Sequence, residues 1–506
     1  MILLILQTGY LLGLKEGIAV NGLVLSAITQ QATEQFLITL GISQSCSILI
    51  LEVTLKLPSL LELHLSGCGL DNDPSSINAN SSKSLVVLDL FGNRFSSVPK
   101  WIFSLHGLVS IDLSRNSLEG PIPDYFGNIS FLEVLDLSGN HLNSSIPNSL
   151  YSLNRLQFLS LWGNQLQGTI SSAIGNLSSV THLDLSLNYM LEGRLPTSLE
   201  YLCKLKEMDL SFNKIEGGIS EILQSLSRCC LDSLESLDMT NNQLSGHLTD
   251  QLGQFKNLSY LSLAQNKISG PIPSSIGDLS SLKFFDISEN QLNGRIPLSI
   301  GELSSLKLFD VSENQLNAWI GDKLSSLVIL SLRSNNFDGH IPHKICDLQF
   351  LQNLDLAQNN ISGVIPKCFN NFSAMATKKT KNEVSAPLVI DFPFYFKALL
   401  VLKGREDEYG STLGLVTNID LSANSLTGEI PKQIGSLVGL LSLNFLGNLL
   451  TGNIPDTIGN MEWMESLDLS MNRLNGEIPP SFSKLNFLNH FNVSYNNLTG
   501  QIPTST

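Results

Sequence analysis

Leucine and asparagine recur along this chain with a single period. The asparagines are 24 residues apart in three blocks, from Asn116 to Asn188, from Asn242 to Asn314 and from Asn424 to Asn496. Around each of them the pattern is L-x-x-L-x-L-x-x-N-x-L-x-G-x-I-P, and residues 467–479 are a clean copy of its later part. Self-similarity of this extent is specific for a repeat architecture, so a stack of repeats is expected rather than several globular domains.

The spacing predicts the structure of one repeat. The L-x-L segment alternates apolar and polar positions as a half-buried strand does, and stacking would join the leucines of successive repeats into one core. A buried asparagine offers donors and an acceptor to the backbone of the following turn, which the glycine permits. Counting Cys68 and Asn93 as the first asparagine-equivalent positions gives 17 repeats. We predict an α/β-type repeat solenoid, a right-handed leucine-rich-repeat superhelix with a parallel β-sheet on its concave face.

Three breaks interrupt the period. The step after Asn213 is 29 residues, and the step after Asn314 is 21, a shortened turn in which residues 318–320 replace Gly-x-Ile-Pro. The step after Asn359 is 65 residues. The breaks predict four segments: a degenerate N-terminal segment at 1–56, repeats 1–13 at 57–368, an island domain at 369–415 and repeats 14–17 at 416–506.

The island is locally basic and aromatic in an otherwise acidic protein. Long insertions in compact folds are usually functional or disordered. A segment that grows from one repeat and folds over the inner face would be a binding element, and a plain surface loop is the alternative. We favour the binding element, with contact candidates Lys378, Lys379, Tyr395, Lys403 and Tyr409.

The order of motifs around the island resembles a known family. The chain is similar to plant leucine-rich-repeat receptor-like proteins, in particular to the group of ethylene-inducing-xylanase receptors. The likeness covers about residues 57–506 and includes four repeats after the island. The stretches that carry it are 331–337 (SLRSNNF), 345–348 (ICDL), 354–369 (LDLAQNNISGVIPKCF), 403–405 (KGR) and 415–422 (LVTNIDLS).

This resemblance implies a cell-surface receptor without a kinase. Members have an extracellular solenoid, one transmembrane helix and a short tail, and they signal from the plasma membrane, often in defence, through partner kinases. Here the family's N-terminal cysteine cap is not recognisable before Leu57, and no run of 18 apolar residues is present. We therefore expect an incomplete receptor that would reach the membrane only through a helix missing from this sequence. Residues 1–56 are either a weak signal peptide or a damaged cap.

Composition narrows the classes of function. The net charge of −15 argues against nucleic acid, whose phosphates it would repel. No nucleotide-binding, protease, hydrolase or kinase motif and no clustered His/Cys set occurs, so neither catalysis nor a metal or other cofactor is expected. One column of aspartates recurs on successive turns, which favours hydrogen bonding along the strand ladder over acid–base work: Asp89, Asp112, Asp136, Asp184, Asp209, Asp238, Asp286, Asp310, Asp355, Asp420 and Asp468.

Function is expected at positions that vary between repeats. Large aromatic residues and arginine are the types that anchor protein interfaces. On the outward side of the predicted strands these are Phe158, Trp162, His182, Tyr260, Phe284 and Arg333. In similar receptors the final repeats meet a co-receptor kinase, which implies a partner-binding role for Asn444, Leu446, His490 and Tyr495.

Cysteines and sequons favour the secretory route. Seven cysteines leave at least one unpaired; Cys346 and Cys368 lie at nearly the same phase of adjacent turns, and Cys203 has Cys229 or Cys230 as partner. A glycan on Asn492 would obstruct the partner-binding region, which counts against either the sequon or that region. The glycosylation candidates are Asn80, Asn128, Asn143, Asn176, Asn257, Asn360, Asn371, Asn492 and Asn497.

Three functions remain open at this point. The leading hypothesis is a receptor ectodomain that captures a peptide or protein ligand and is then joined by a co-receptor kinase. The second is a secreted inhibitor of a microbial wall-degrading enzyme, although such inhibitors are shorter and have no island. The third is a decoy that binds without signalling.

Overall fold

The computed structural model describes residues 59–71, 84–317, 324–377 and 416–503 together with Leu55. It also gives the backbone of five further strands, Ile18–Val20, Leu23–Ala27, Phe36–Leu40, Ala398–Leu402 and Arg405–Tyr409. The chain divides into two compact units, Met1–Ser245 and Gly246–Thr506. Each unit is a stack of the predicted repeats, and the predicted repeat fold is confirmed.

In the first unit every repeat opens with a short strand whose inward residue is leucine, isoleucine or methionine. The strands are parallel and in register, so Leu159 lies opposite Leu135 on one side and Leu183 on the other. All three leucines are buried, as the alternation of a half-buried strand requires. The eight repeat strands described in this unit are Leu60–His64, Val87–Asp89, Ser110–Asp112, Val134–Asp136, Phe158–Ser160, His182–Asp184, Glu207–Asp209 and Ser236–Asp238.

The second unit has the same arrangement, and its sheet continues across the predicted island. Asn353–Asp355 pairs in parallel with Asn418–Asp420, so the strands before and after the insertion are direct neighbours. With the nine repeat strands described here, each of the 17 predicted repeats supplies one strand. The nine are Tyr260–Ser262, Phe284–Asp286, Leu308–Asp310, Ile329–Ser331, Asn353–Asp355, Asn418–Asp420, Ser442–Asn444, Ser466–Asp468 and His490–Asn492.

After its asparagine, a typical repeat forms a second short strand and then a 3-10 helix. The second strands are Glu119–Gly120, His141–Ser144, Gln165–Thr169, Met190–Arg194, Lys214–Gly218, Gln243–His247, Lys267–Gly270, Gln291–Arg295, Gln315–Asn317, Asp338–His340, Asn360–Val364, Ser425–Glu429, Leu449–Thr451, Asn475–Glu477 and Asn497–Thr499. The 3-10 helices are Lys100–Ser104, Asp124–Asn128, Leu150–Ser152, Ser172–Asn176, Thr197–Tyr201, Asp250–Gln254, Ser274–Asp278, Leu298–Glu302, His343–Asp347, Lys367–Asn371, Lys432–Ser436, Asp456–Asn460 and Pro480–Lys484. The i→i+3 turns suit this short connection because they are tighter than an α-helix.

Two α-helices accompany the breaks in the period. Ile219–Ser227 replaces the 3-10 helix in the repeat with the 29-residue step. This longer helix accommodates the additional residues, and its apolar face is buried. Ser373–Ala376 follows the last 3-10 helix before the island. The backbone N–H of Gly439, in the repeat after the island, donates to Met375 O at 2.8 Å. A side chain at Gly439 would collide with the carbonyl of Thr377, so glycine is required for this close approach.

Three strands precede the first complete repeat. Phe36–Leu40 runs parallel to Leu60–His64, while Leu23–Ala27 is antiparallel to both Phe36–Leu40 and Ile18–Val20. The sequence pattern predicted no element here because this segment lacks the repeat period. The shortened turn predicted at residues 318–320 lies outside the described residues, and the domain boundaries stay predictions.

The asparagine column holds adjacent repeats together. Asn140 Nδ2 donates to the carbonyls of Leu113, Leu137 and Ser138 at 3.1, 2.9 and 3.1 Å, and its Oδ1 accepts from Leu118 N at 3.0 Å. One side chain thus satisfies groups of its own repeat and of the repeat before it. The predicted ladder is present, and the same four contacts recur at Asn116, Asn164, Asn188, Asn314, Asn448 and Asn472.

Replacing Asn140 by alanine tests the ladder. The change leaves buried carbonyls and one N–H without partners, so we expect it to lower the free energy of unfolding by about 3 kcal/mol. Urea unfolding followed by circular dichroism measures the effect. Asn148→Ala is the matched control because Asn148 is exposed. Equal unfolding midpoints for the two variants would contradict the role assigned to the ladder.

Candidate functional site

The outward surface of the repeat strands, called here the sheet face, has three columns of side chains. The first column is the first residue of each three-residue strand, the second is its third residue, and the third lies two positions further along the chain. Neighbouring strands are about 4.8 Å apart, so each column forms a line of closely spaced side chains. The predicted ligand-binding residues Phe158, Trp162, His182, Tyr260, Phe284 and Arg333 all belong to the first or third column.

Two of them are brought together in the first unit. The rings of Phe158 and His182, in the first column, have centroids 6.0 Å apart. His182 Nε2 lies 3.4 Å from Glu207 Oε1, and its Nδ1 lies 2.8 Å from Thr181 Oγ1. Trp162 stands in the third column, two residues beyond the strand Phe158–Ser160 rather than inside it. All three side chains are partly exposed, and the Trp162 ring lies towards Gly139 of the preceding repeat.

The second aromatic pair is correctly located but less accessible than predicted. The rings of Tyr260 and Phe284 are stacked, with centroids 4.2 Å apart and planes 13° from parallel. Phe284 is only 2% exposed, so its prediction as a surface anchor is wrong. A ring that faces outward from a strand can still be covered by its neighbours, which the spacing in the sequence does not report.

Arg333 is also buried, which corrects its prediction as an exposed anchor. Its Nε donates to Asp355 Oδ2 at 2.8 Å and its Nη2 donates to Asp420 Oδ2 at 2.7 Å. One guanidinium therefore bridges carboxylates on the two strands that flank the island. Burial and the Asp420 carboxylate raise the pKa of Asp355 to about 7, and the charge of Arg333 offsets this only in part. Arg333 is bound within the chain, and its outward position alone did not reveal this.

The aspartates of the second column cap their own turns. Asp184 Oδ1 accepts from the backbone N of Ser186 at 3.0 Å and from its hydroxyl at 2.6 Å. These bonds lie within one repeat. The same pair of contacts is made at Asp112, Asp310 and Asp468. The predicted bonds along the strand ladder occur at Asp420 and Asp468, whose Oδ2 atoms accept from Asn444 and Asn492 of the next strand.

Several of these carboxyls resist ionisation. Burial raises the pKa of Asp184 and of Asp310 to about 6, and hydrogen bonds from the capping serines offset the rise only in part. Burial, with repulsion from Asp238 and Asp184, raises the pKa of Asp209 well above its usual value. In the first unit, burial and repulsion between neighbouring carboxylates therefore destabilise the ionised form of Asp184 and Asp209.

Two features of the sheet face were missed from the sequence. The residue just before each ladder asparagine has a left-handed backbone, with φ of 49° at Arg115, 55° at Phe212 and 55° at Tyr495. The sequence holds a signal for it, because glycine takes the same position at Gly139 and Gly163. Aligning this column would have identified these positions.

The second missed feature is a buried polar cluster beside Arg333. Gln352, Asn353 and Asn418 are at most 6% exposed. Among the described residues, Gln352 Oε1, Asn353 Oδ1 and both amide atoms of Asn418 have no hydrogen-bond partner. Such groups cost free energy when buried, so this stretch of sheet is not built for stability alone.

The predicted partner-binding residues lie on the last repeats of the second unit. Asn444 Nδ2 donates to Asp420 Oδ2 at 3.1 Å, and His490 Nε2 lies 3.6 Å from Asp468 Oδ2. Leu446 is half-buried and Tyr495 is 82% exposed. Their role stays a prediction.

The island candidates fall beyond what the structure describes. Lys378, Lys379, Tyr395 and Lys403 lie outside the described residues. Tyr409 is the last residue of the strand Arg405–Tyr409, which pairs antiparallel with Ala398–Leu402. The binding role of the island therefore stays a prediction as well.

Two disulfides between described residues join neighbouring repeats, and Cys68 is disulfide-bonded as well. Cys346 is bonded to Cys368, and Cys203 is bonded to Cys229, one of its two predicted partners. Cys230 is a buried free thiol whose Sγ lies 4.0 Å from that of Cys229. Burial raises its pKa to about 11, which suppresses thiolate reactivity next to the disulfide.

The sequons divide into two kinds. Asn492 lies in the second column, where its Nδ2 donates to Asp468 Oδ2 and Ser470 Oγ, both at 3.1 Å. Asn80 lies outside the described residues. The other seven are exposed and lie off the three columns of the sheet face: Asn128, Asn143, Asn176, Asn257, Asn360, Asn371 and Asn497.

Within the described ranges no group of three or more His, Cys, Asp or Glu residues is arranged to hold a metal ion. No helix in the same ranges has the length and apolar character needed to cross a membrane.

Family models for the leucine rich repeat match most of the stacked repeats. One match covers residues 83–142. With the in-register strands and the asparagine ladder, these matches show that the chain belongs to the leucine-rich-repeat family. The other matches cover 155–177, 204–226, 233–255, 257–279, 281–303, 326–348, 350–372, 416–437 and 463–485.

Curated relatives of the chain are plant receptor-like proteins. It is 35% identical to Receptor-like protein EIX2 of Solanum lycopersicum over 216 residues, which are 42% of this chain and 16% of that protein. It is 52% identical to Receptor-like protein EIX1 of the same species over 90 residues, 17% of this chain and 9% of that protein. The resemblance to this receptor type is confirmed, although the match spans less than a fifth of either relative's length.

Solved plant ectodomains share the fold. The ectodomain of GASSHO1/SCHENGEN3 from Arabidopsis thaliana, in complex with CASPARIAN STRIP INTEGRITY FACTOR 2, has a TM-score of 0.75 and 31% identity, covering 91% of this chain and 50% of that one. The Arabidopsis receptor kinase HAESA, in complex with the peptide hormone IDA and the co-receptor SERK1, has a TM-score of 0.56 and 26% identity, covering 89% and 85%.

The raised carboxyl pKa values predict that acid stabilises the fold. The pKa of Asp310 is about 6 in the folded state, compared with an ordinary value of 3.8, so the carboxyl binds its proton more tightly when the chain is folded. Its contribution to stability is present at low pH and is lost as pH rises through about 6. Between roughly pH 7.5 and 5 we expect a gain of about 1 kcal/mol from Asp310 alone.

Urea unfolding at the two pH values measures this gain in the free energy of unfolding. In the Asp310→Asn variant the gain should be smaller by the contribution of Asp310. Asparagine keeps the cap, because Asn444 Oδ1 in the same column accepts from Leu446 N at 3.1 Å. An unchanged pH dependence in the variant would show that Asp310 ionises normally.

The bonding of Asn492 predicts unequal glycosylation. When the chain passes through a eukaryotic secretory pathway, we expect glycan on Asn497 and none on Asn492, whose amide nitrogen is already bound to Asp468. Glycopeptide mass spectrometry measures the occupancy of each site. The sequon at Asn497 is the control for the sequon at Asn492. High glycan occupancy at Asn492 would contradict the prediction.

Proposed function

We propose that the chain is the ligand-binding region of a plant cell-surface receptor-like protein that acts by binding and not by catalysis. Its sheet face would capture a peptide or protein ligand. The observation that carries the proposal is the partial exposure of Phe158, Trp162 and His182 on the sheet face, outside the leucine core and the asparagine ladder. Aromatic residues of this kind anchor protein interfaces.

The relatives support the wider part of the proposal. Receptor-like proteins of tomato share the sequence, and the HAESA ectodomain holds a peptide hormone together with a co-receptor. By analogy, the full protein would stand at the plasma membrane with this chain outside the cell and would signal in defence through partner receptor kinases. The last repeats would meet the partner, with exposed Tyr495 and half-buried Leu446, Asn444 and His490 as its contacts.

Selection from a random peptide library displayed on phage tests the sheet face. Peptides selected on the secreted chain should lose about tenfold or more in affinity for Trp162→Ser, since a buried interface aromatic is worth more than 1.4 kcal/mol. Serine is the natural residue at this column position in both adjacent repeats, Ser138 and Ser186, so the fold tolerates it. Biolayer interferometry measures the affinities.

Trp463→Ser is the matched control. Trp463 is 44% exposed and stacks on Phe487, but it lies outside the three columns of the sheet face. Selected peptides should bind this variant as they bind the original chain. The proposal fails if both variants weaken binding equally or if Trp162→Ser has no effect.

A further inference from the structure

The chain itself shows how an arginine binds on the sheet face. Arg333 stands in the third column, and its guanidinium bridges the second-column aspartates of the next two strands, Asp355 and Asp420. Both aspartates use Oδ2 for the arginine and keep Oδ1 for the N–H two residues on, at 3.0 Å in Asp355 and 2.9 Å in Asp420. Capping the turn and binding a guanidinium are therefore compatible at one carboxylate.

The same arrangement recurs in the first unit without an arginine. Trp162 occupies the third column where the other repeat has Arg333, and each follows a serine in the second column, Ser160 and Ser331. The next two strands carry Asp184 and Asp209, which pair in register. This position thus has the two carboxylates and an indole ring in place of the chain's own cation.

The carboxylates of this pair have bonding capacity to spare. Asp184 and Asp209 each accept from the backbone N–H two residues on through Oδ1, at 3.0 and 2.8 Å. Ser186 Oγ also donates to Asp184 Oδ1, which leaves Asp184 Oδ2 without a donor in the described residues, while the Ser211 hydroxyl bonds to the Asp209 carboxyl. Both side chains and Trp162 are partly exposed, in contrast to the buried Arg333 network.

We infer that Asp184, Asp209 and Trp162 form a binding site for an arginine side chain of the ligand. This inference rests on the proposed function and deepens it, because it names the chemistry that the ligand must present. A guanidinium offers donors to two carboxylates at once and stacks on an aromatic ring, whereas an ammonium is a compact point charge. The partner is therefore a peptide or protein segment with an accessible arginine.

Electrostatics around the site favours a cation. Burial and the neighbouring carboxylates raise the pKa of Asp184 and Asp209, and a bound positive charge relieves that repulsion. Glu207 and His182 lie on the same two strands, and Asp136 and Asp238 lie in the same column on either side. Arg115 acts on Asp136, and Lys206 interacts with Glu207.

Small probes test the site without knowledge of the natural ligand. N-acetylarginine methylamide is titrated against the chain labelled with 5-fluorotryptophan, and fluorine NMR follows the Trp162 signal, assigned through Trp162→Ser. N-acetylcitrulline methylamide is the neutral isostere and N-acetyllysine methylamide is the point-charge control. We expect saturable shifts with the arginine probe and about tenfold weaker binding of the other two.

Two sets of variants locate the effect. Replacing Asp184 and Asp209 together by asparagine should weaken the arginine probe about tenfold or more. Asp112→Asn is matched to Asp184→Asn, because Ser114 caps Asp112 through the same two bonds, at 2.8 and 2.6 Å. It should leave binding unchanged, and circular dichroism confirms that each variant is folded.

The pH dependence adds an independent readout. Because the carboxylate form binds the cation, the affinity of the arginine probe should fall as pH is lowered from about 7.5 to 5, while that of citrulline stays constant. Citrulline or lysine binding as well as arginine, or Asp112→Asn acting as strongly as the double variant, would overturn the inference. Peptides that need Trp162 but show no preference for arginine would remove this inference and leave the proposed function standing.

Discussion

The hydrogen bonds of the asparagine column are the constraint on which the rest of the structure depends. Each repeat turns sharply inside an apolar stack, where backbone groups have no water to bind. One carboxamide supplies three donor contacts and one acceptor contact at that point, as Asn140 shows, and the contacts reach into the preceding repeat. Leucine burial is thereby made compatible with a turn in every repeat.

Because these residues maintain the repeat, other positions on the sheet face can differ in residue type from one repeat to the next. Leucines and asparagines serve the core, and the second-column aspartates cap the turns through one oxygen. Residue types in the first and third columns vary from repeat to repeat, and the second carboxylate oxygens bond to neighbouring side chains only in some repeats, as Asp420 and Asp468 do with Asn444 and Asn492. The chain has used this freedom in different ways: it buries Phe284 under its neighbours, closes Arg333 onto Asp355 and Asp420, and leaves Trp162 partly exposed.

The cost of this arrangement is electrostatic. Aspartates repeated on strands about 4.8 Å apart repel one another and are partly desolvated. Where the chain supplies its own guanidinium the charge is compensated internally. Where it supplies an aromatic ring, as at Trp162, the chain offers no such cation, and we propose that the arginine of a ligand compensates the charge there.

The sequence alone determined the repeat, the number of repeats, the asparagine ladder and the columns to which Phe158, Trp162 and His182 belong. All of these follow from local periodicity, since the residue that faces inward or outward is set by its place in a 24-residue unit. Only the tertiary structure decided which outward residues are accessible. Phe284 and Arg333 have outward positions, yet one is covered by its neighbours and the other is bound by carboxylates from later strands. Asp420 is separated from Arg333 by the whole island, and a pairing over that distance depends on which strands become neighbours, which a periodic pattern does not encode.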